Sequence, residues 1–319
     1  MSLGSTAGLR SVDDELAASI ERAGARVTVA RAAPPREVRT LALTDYVWAR
    51  AARAAALEGL RRVRGDLVIY STVTAALFGP VAGAIRFDAL AADNRLGRHG
   101  FWQRSLERRR LERATLLIPQ SAASLAGAPR NHAPAVVVPV PVAASGPRIP
   151  LAERDIAAIT YAANPRKKGL DRVLDAWAQV RGDRDVLVVA GSDDVPRAEG
   201  VRAVGALAHS DYRALLRRSR VYVTAPRRED YGIAQLEALA DGCLLVTTPA
   251  PGAYEALELA RSLDARLVSE DLATALRTAL ANPLDGYGAA AARALAPFSP
   301  AYVDDIVARE LLPKLIPHA

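Results

Sequence analysis

Short apolar runs alternate with amphipathic, helix-forming segments along most of the chain. In the second half the runs are IAAITYAA, DVLVVAG, VRAVG, RVYVTAP, CLLVTTP and ARLVS, and most of them precede a stretch with helical periodicity. Buried strands that alternate with helices are typical of a parallel sheet covered by helices. The helix predicted from Gly169 has one apolar face, formed by Leu170, Val173, Leu174 and Trp177. This face is expected to pack on the sheet.

The first half has the same character with a less regular pattern. Its predicted strands are ARVTVARA, DLVIYST, AIRFDA and TLLIP, with helices over residues 45–64 and from Phe101. The first strand is reduced to MSL ahead of the glycine-bearing GSTAG, so it is either short or truncated. Each half therefore predicts a Rossmann-like α/β domain.

The segment VVVPVPVAASGPRIP changes from an apolar strand to Pro, Ser and Gly, which indicates a hinge near residues 142–150. At 319 residues the chain exceeds the usual size of one core. We therefore predict an N-terminal domain over residues 1–148 and a C-terminal domain over 149–319. The last helical segment, PAYVDDIVARELLPKLI, is expected to cross back to the first domain.

The net charge of +7 lies entirely in the first half, which has 21 arginines against 12 acidic residues up to residue 150. This half is expected to face an anionic partner such as a phospholipid surface or a phosphate-bearing acceptor, unless the arginines merely form a solvated surface. FWQRSLERRRLERATLLIP could be a basic amphipathic helix on a membrane, or an ordinary surface helix in which Glu107 and Glu112 pair with arginines. Few aromatic residues and no zinc, helix-turn-helix or RNA-binding signature argue against nucleic acid.

No apolar run approaches the roughly 20 residues of a membrane span. The opening MSLGSTAGLR lacks the apolar region of a secretory signal, and the single cysteine, Cys243, lies in a core-like run. These features favour a cytoplasmic protein, either free or associated with a membrane.

RREDYGIAQLEALADG, residues 227–242, places Glu229 and Glu237 on either side of a Tyr-Gly turn. The preceding run RVYVTAP should be a buried parallel strand, and ligands of such sheets bind beyond the carboxyl ends of the strands. The helix that starts near Gly232 presents free N–H groups and a positive dipole, which suit a phosphate. Glu237 would then reach an attached ribose and Glu229 a second sugar. Alternatively, Glu237 only complements its helix and Glu229 is a solvated loop acid.

EDYGIAQLE followed by ALADGCLLVTTPAPGAYEAL resembles the Glu-seven-residues-Glu signature of the retaining family 4 glycosyltransferases with the GT-B fold. PRKKGLD resembles their phosphate-binding Lys-Gly element, and the similarity extends over residues 155–275. The resemblance implies two Rossmann-like domains whose parallel sheets face a central cleft. It also implies transfer of a hexose-type sugar from a nucleotide diphosphate donor to an acceptor hydroxyl, with retention of configuration.

By the same resemblance, Glu229 would contact the transferred sugar and Glu237 would bind the ribose. The backbone amides of the turn before the helix would hold the donor phosphate; they belong to Tyr231, Gly232 and Ile233. Lys168 would neutralise the departing diphosphate in place of a metal ion, and no metal motif or cofactor is expected.

Where the family usually has an arginine at the end of the strand before this lysine, the chain has Ala162 and Ala163. Arg166 or Lys167 could substitute from the loop, at a different approach angle.

Candidates in the first half are the glycines Gly4 and Gly8, whose loop could approach the diphosphate. Asp88 follows a predicted strand where similar enzymes have a histidine, and it could orient the acceptor hydroxyl or act as a base. Further acceptor-side candidates are Asn94, Arg95 and His99. The acceptor itself is unknown, with a lipid-linked or anionic molecule favoured.

Two alternatives remain open at this point: a GT-B-like binding or scaffold subunit with little or no turnover, and a nucleotide-sugar epimerase. A nicotinamide-dependent oxidoreductase is disfavoured because no strand is followed by Gly-x-Gly-x-x-Gly.

Overall fold

The computed structural model describes residues 1–5, 7–36, 38–63, 65 and 67–316, without the side chains of residues 7, 41 and 99. The chain divides into two compact units. The N-terminal unit comprises Met1–Pro141 and Pro300–Ala319, and the C-terminal unit comprises Val142–Ser299. The division therefore falls at Pro141, shortly before the boundary that the sequence predicts at residue 148, and the last segment groups with the first unit.

The N-terminal unit is a small α/β layer structure. Its elements up to Pro141 are α1 (Ala7–Arg22), α2 (Leu41–Arg62), β1 (Ile69–Tyr70), α3 (Val73–Ala76), β2 (Ala84–Phe87), α4 (Ala91–Asn94), α5 (Phe101–Glu112), β3 (Leu117–Pro119) and α6 (Ala122–Ala126). The three strands form a parallel sheet in the order β1-β2-β3. The helix predicted from Phe101 is thus confirmed.

Residues 1–3 take the place of a first strand beside β1. The Met1 amino group donates a hydrogen bond to Ile69 O at 2.7 Å, and Ser71 N donates to Met1 O at 2.9 Å. On its other side this segment meets ARVTVARA, predicted as a strand, through an isolated parallel bridge from Ser2 to Arg31. No regular strand forms over residues 25–32, because a three-residue partner cannot support a longer ladder.

The C-terminal unit is built on a larger sheet. Its elements are β4 (Ile156–Tyr161), α7 (Pro165–Lys168), α8 (Leu170–Val180), β5 (Leu187–Ala190), β6 (Val201–Gly205), α9 (His209–Arg218), β7 (Ser219–Thr224), α10 (Ile233–Ala240), β8 (Leu244–Thr247), α11 (Glu255–Asp264), α12 (Leu272–Ala281) and α13 (Tyr287–Ala294). All strands are parallel, in the order β6-β5-β4-β7-β8. From β4 the chain adds β5 and β6 on one side of the sheet and then β7 and β8 on the other, so the strand order reverses between β4 and β7, and their carboxyl ends are the expected ligand site.

Packing follows the predicted apolar pattern closely in this unit. Leu170, Val173 and Trp177 of α8 are buried, and Trp177 is fully enclosed. Each such side chain contributes about 1.5 to 3 kcal/mol by leaving water. The run ARLVS is wrong as a strand: residues 265–267 form a 3-10 turn, because the Asp264 carboxylate accepts the Arg266 amide and caps it.

The final segment consists of α14 (Pro300–Ile306), a π-helical stretch (Val307–Leu311) and α15 (Leu312–Leu315). Val303, Val307 and Leu311 are buried in a core cluster with residues of α1 and β3. At the rim, Asp304 accepts a hydrogen bond from Ser19 Oγ at 2.5 Å and pairs with Arg22. These helices therefore complete the core of the N-terminal unit. None of the helices in the described ranges is long and apolar enough to cross a membrane.

Candidate functional site

The loops after β4 and β7 meet at the switch point of the larger sheet. Arg227 N donates a hydrogen bond to Lys167 O at 2.9 Å, which joins the two loops. Gly169 packs so closely that an added Cβ would lie 1.9 Å from Ala225 O. Glycine is therefore required after the lysine pair, because any side chain would separate the loops.

Lys168 and Glu229 form an ion pair at this junction, with Lys168 Nζ 2.5 Å from Glu229 Oε2. The side chains are only 19% and 7% exposed, so water screens the pair weakly. The lysine lies at the end of the one-turn helix α7, just before α8. Both residues come from the edge of the sheet where ligands bind in this topology.

Further cations surround the pair. Asp230 accepts from Lys167 Nζ at 3.2 Å and from Arg228 Nε at 2.7 Å. The exposed Arg166 guanidinium has no hydrogen bond or ion pair within the described ranges. The loops thus concentrate positive charge where Ala162 and Ala163 supply none, since Ala162 is buried in the sheet.

The N-terminus of α10 opens at the same junction. Gly232 precedes the helix in the left-handed region, with a φ of 96°. Among the described groups, none accepts a hydrogen bond from the amides of Gly232 or Ile233, whereas Tyr231 is buried and engaged elsewhere. Unpaired amides and the positive end of the helix dipole together favour an anion.

Glu237 lies on the second turn of α10 and faces α9. Its Oε1 is 2.7 Å from His209 Nε2 and 3.7 Å from an Arg213 amino nitrogen. Burial, followed by the nearby charge of Glu237, raises the pKa of Tyr161 at the end of β4. An imidazole and a carboxylate thus meet here, and the carboxylate is near enough to Tyr161 to affect its pKa.

Arg213 and Asp241 form a buried support behind Glu237. Arg213 Nε donates to Asp241 Oδ2 at 2.6 Å, and Asp241 Oδ1 accepts from the amide and hydroxyl of Ser145 at 2.8 and 2.9 Å. Sequence reasoning missed both residues, although a signal was available. His209 and Arg213, like Glu237 and Asp241, are four positions apart, so each pair shares one helix face.

Asp88 follows β2 at its carboxyl end, as the sequence suggested, and is half-buried. Its Oδ1 accepts the Ala89 amide at 2.8 Å, and its main-chain oxygen accepts from Ser124 Oγ at 2.5 Å. The carboxylate therefore caps its own loop in addition to any role toward a ligand.

The other first-half candidates differ in their surroundings. Arg95 Nε donates to Asp45 Oδ2 at 2.6 Å, which restricts its freedom to reach a ligand, and it also contacts Asn94. The side chain of His99 lies outside the described part of the chain. Gly4 lies in the left-handed region ahead of α1, but Gly8 is already inside that helix, so the predicted glycine loop is shorter than expected.

Glu107 of α5 is a buried acid that sequence reasoning treated only as a surface ion-pair partner. Its two carboxylate oxygens accept the Ala91 amide at 2.8 and 3.0 Å, at the start of α4. Burial raises its pKa to about 7. This prediction of a surface pair is wrong because the helix face that carries Glu107 turns inward, while Glu112 does pair with Arg108.

No cluster of three or more His, Cys, Asp or Glu side chains suited to a metal occurs within the described residues.

Comparison with known proteins gives a family match over part of the chain and a fold for the whole. A family model described as glycosyl transferases group 1 matches residues 154–284. WaaG, a glycosyltransferase involved in lipopolysaccharide biosynthesis, is similar in structure with a TM-score of 0.67 and 16% identity, over 95% of this chain and 96% of that one. No curated protein sequence matches the chain.

Two further solved structures are similar. The UDP-forming α,α-trehalose-phosphate synthase from Burkholderia xenovorans gives a TM-score of 0.65 at 14% identity, over 95% of this chain and 83% of that one. Sucrose-phosphate synthase from Thermosynechococcus elongatus gives 0.60 at 16% identity, over 90% and 82%. At such identities the likeness establishes the fold alone. Residues 154–284 accordingly match the group 1 glycosyltransferases, and the chain has the GT-B fold of these structural neighbours.

Proposed function

We propose that the protein transfers a hexose-type sugar from a nucleotide diphosphate donor to an acceptor hydroxyl, with retention of configuration. The observation that carries this proposal is the grouping of Lys168, Glu229 and the α10 N-terminus at the switch point of the larger sheet. The group 1 domain over residues 154–284 supports transferase chemistry.

Charge on the leaving group decides what the site must supply. When the anomeric carbon–oxygen bond of the donor breaks, the electron pair stays on the diphosphate, and the acceptor oxygen bonds to the anomeric carbon as its hydroxyl loses a proton. Lys168, with the amides of Gly232 and Ile233, would stabilise the diphosphate, and Arg166 or Lys167 would assist. No metal ion or organic cofactor takes part in this proposal.

Two carboxylates would hold the neutral parts of the donor. Glu229 would accept hydroxyls of the transferred sugar, and Glu237 would accept those of the ribose, because an ionised carboxylate is an acceptor only. Asp88 would orient the acceptor or take its proton, with Asn94, Arg95 and His99 as further acceptor-side residues.

The basic N-terminal unit would bind a lipid-linked or otherwise anionic acceptor. The concentration of positive charge before residue 150 supports this assignment. Among the neighbours, WaaG is involved in lipopolysaccharide biosynthesis, and the Burkholderia xenovorans enzyme was crystallised in complex with the sugar phosphate glucose-6-phosphate. We place the protein in the cytoplasm, in peripheral contact with a membrane.

Donor binding tests the proposal first. A panel of UDP-, GDP-, ADP- and dTDP-hexoses is screened by thermal shift, because a ligand of the folded state raises its stability. The donor found is then titrated into Glu237→Ala and into a matched control, Glu258→Ala, an exposed helix glutamate of the same unit. We expect affinity to fall with Glu237→Ala alone; equal affinity in all three proteins would refute the ribose assignment.

Turnover separates the proposal from its rivals. Release of nucleoside diphosphate and the anomeric configuration of the product establish transfer and retention. The buried Ala162, where a cation would otherwise be expected, favours a binding subunit as the second candidate. Donor binding without hydrolysis or transfer would support that candidate, and an altered sugar still attached to the nucleotide would support an epimerase.

A further inference from the structure

Glu229 is held in one orientation by more than its lysine. Its amide donates to Pro251 O at 3.1 Å, and Gly252 packs against its carbonyl. On the side chain, Oε2 accepts both Lys168 Nζ at 2.5 Å and Gln235 Nε2 at 3.1 Å. Within the described ranges no hydrogen bond reaches Oε1. Oε2 therefore accepts two hydrogen bonds, whereas Oε1 accepts none from the described residues.

Gln235 is an unusual residue for its place on α10. It is fully buried, yet polar, and its amide group donates to Glu229 Oε2 and to the Tyr254 hydroxyl at 3.2 Å. Its own Oε1 has no partner among the described residues. A buried amide with an unpaired oxygen is destabilising compared with an apolar side chain, so stability alone does not account for it.

A directional chain of hydrogen bonds extends behind Gln235. The Tyr254 hydroxyl lies 2.8 Å from Thr247 Oγ1, and Thr247 Oγ1 donates to Thr248 O at 3.3 Å. Because that carbonyl can only accept, Tyr254 donates to Thr247 and accepts from Gln235. Burial raises the pKa of Tyr254, so its hydroxyl remains a donor. These hydrogen bonds thus fix the orientation of the Gln235 amide group, which donates one N–H to Tyr254 and the other to Glu229.

Tyr254 also packs against the N-terminus of α10, where the donor phosphate is proposed to bind. Its ring lies so close to Gly232 that an added Cβ there would be 3.0 Å from the ring carbon Cε2. The loop that carries Pro251, Gly252 and Tyr254 therefore supports Glu229 and the start of α10 together.

We propose that Gln235, backed by Tyr254, is a positioning residue that holds Glu229 Oε2 and thereby presents Oε1 to the transferred sugar. The assignment rests on the sugar-binding role proposed for Glu229. A neutral amide suits the task because Lys168 balances one carboxylate, whereas a glutamate at position 235 would place a second negative charge against Glu229.

A double-variant cycle tests the positioning role by kinetics. Gln235→Met keeps the side-chain length and removes the hydrogen bonds; we expect kcat to fall about 10- to 100-fold, the range for losing a bond to a charged group, with the donor KM changed less than about threefold. If Gln235 acts through Glu229, the Glu229→Gln/Gln235→Met protein is no slower than Glu229→Gln. If the losses in kcat of the two single variants multiply in the double variant, or if Gln235→Met raises only KM, Gln235 does not act by positioning Glu229.

Tyr254→Phe provides a second variant with a matched control. It should lower kcat less than Gln235→Met does, because Gln235 loses only its hydrogen bond to Tyr254 and keeps the one to Glu229. Tyr287→Phe removes another buried hydroxyl of this unit, one that accepts the Leu245 amide at 3.2 Å, and should leave kcat unchanged. Equal effects of the two tyrosine variants would mean that general destabilisation, and not positioning, is measured.

A ligand-free measurement keeps this inference separate from the proposed function. In the unliganded protein, the side-chain amide resonances of Gln235 should shift and exchange faster with solvent in Glu229→Ala, since their acceptor is lost. Unchanged resonances would contradict the contact itself. Absence of any transfer by the parent protein would instead reject the function while this contact still stood.

Discussion

Lys168 and Glu229 form a largely buried ion pair, so removing either charge alone should lower the free energy of unfolding. In Lys168→Met the largely buried Glu229 carboxylate loses its cationic partner, which should lower the free energy of unfolding by about 3 kcal/mol. Lys168→Met/Glu229→Gln should regain most of that loss, because no uncompensated charge remains. Urea denaturation of the two variants measures the difference.

Lys167→Met is the control at the neighbouring position. Its partner Asp230 keeps Arg228, and the lysine is 44% exposed, so the change in stability should stay below about 1 kcal/mol. If Lys167→Met is as destabilising as Lys168→Met, burial does not distinguish the two pairs. Activity should not return in the double variant, since both proposed roles are removed.

Local elements depend on single buried groups, as α4 does on Glu107. The pKa of Glu107 is about 7 in the folded protein against an ordinary 4.5, so the folded state binds this proton more tightly than the unfolded chain. The associated stability is present below the unfolded value and is lost as pH rises toward 7. Between about pH 5 and about pH 8 it should amount to roughly 2 to 3 kcal/mol.

Glu107→Gln should remove that part of the pH dependence, because the amide oxygen can still accept the Ala91 amide without a charge. The free energy of unfolding at the two pH values measures it. Glu112→Gln on the same helix, where the acid pairs with Arg108 at the surface, should keep the slope of the parent. If the free energy of unfolding of Glu107→Gln depends on pH as steeply as that of the parent, another group causes the effect.

The start of α5 and the turn before it carry two exposed apolar side chains and several exposed arginines. Leu96 and Phe101 are 70% and 68% exposed, and Arg98, Arg108 and Arg109 are exposed nearby in sequence. Such a surface suits an anionic membrane, with apolar side chains inserted and arginines at the phosphates.

Sedimentation with vesicles tests this surface. Leu96→Ser/Phe101→Ser should bind phosphatidylglycerol-containing vesicles at least about tenfold more weakly than the parent, since two apolar side chains no longer leave water. Leu284→Ser, an exposed leucine of the other unit, should bind like the parent. Binding of the parent that is equal for neutral and anionic vesicles would contradict the role of the arginines.

At the scale of the molecule, the last helices belong to the core of the first unit. Leu311→Ala leaves a cavity in the cluster shared with α1 and β3 and should cost about 3 kcal/mol. Hydrogen exchange should then accelerate in α1 and β3 and stay unchanged in the strands of the C-terminal unit. Tyr302→Ala, at an exposed position of α14, is the control. Faster exchange in both units would show that they unfold together.

How much the sequence predicts differs between the two sheets. In the C-terminal unit the strands other than β6 are almost entirely buried, so their apolar runs stand out, and the predicted runs were placed correctly apart from ARLVS. In the N-terminal unit the first strand has three residues, and ARVTVARA lacks a partner long enough to make it a strand. Whether such a run becomes a strand depends on pairing with a distant segment, which local periodicity does not predict.

The candidate site shows the same division at the residue level. Lys168 is implied by the family resemblance, whereas Glu229, Glu237 and the helix start near Gly232 were predicted from spacing, because strand ends and helix starts are local features. Gln235 and Tyr254 were not, since Gln235 reads as one more residue of a helix and its partner lies 19 positions away. Glu107 was predicted at the surface for a related reason: which face of the charged helix α5 is buried depends on the elements that pack against the helix.

The sequence by itself determined that two α/β units follow one another and which residues end the strands and begin the helices of the second. Only the tertiary structure decided which groups meet: Lys168 with Glu229, His209 with Glu237, and the last helices with α1. The physical reason is that periodicity and turn chemistry act over a few residues, whereas ion pairs and cores join segments that only folding brings together.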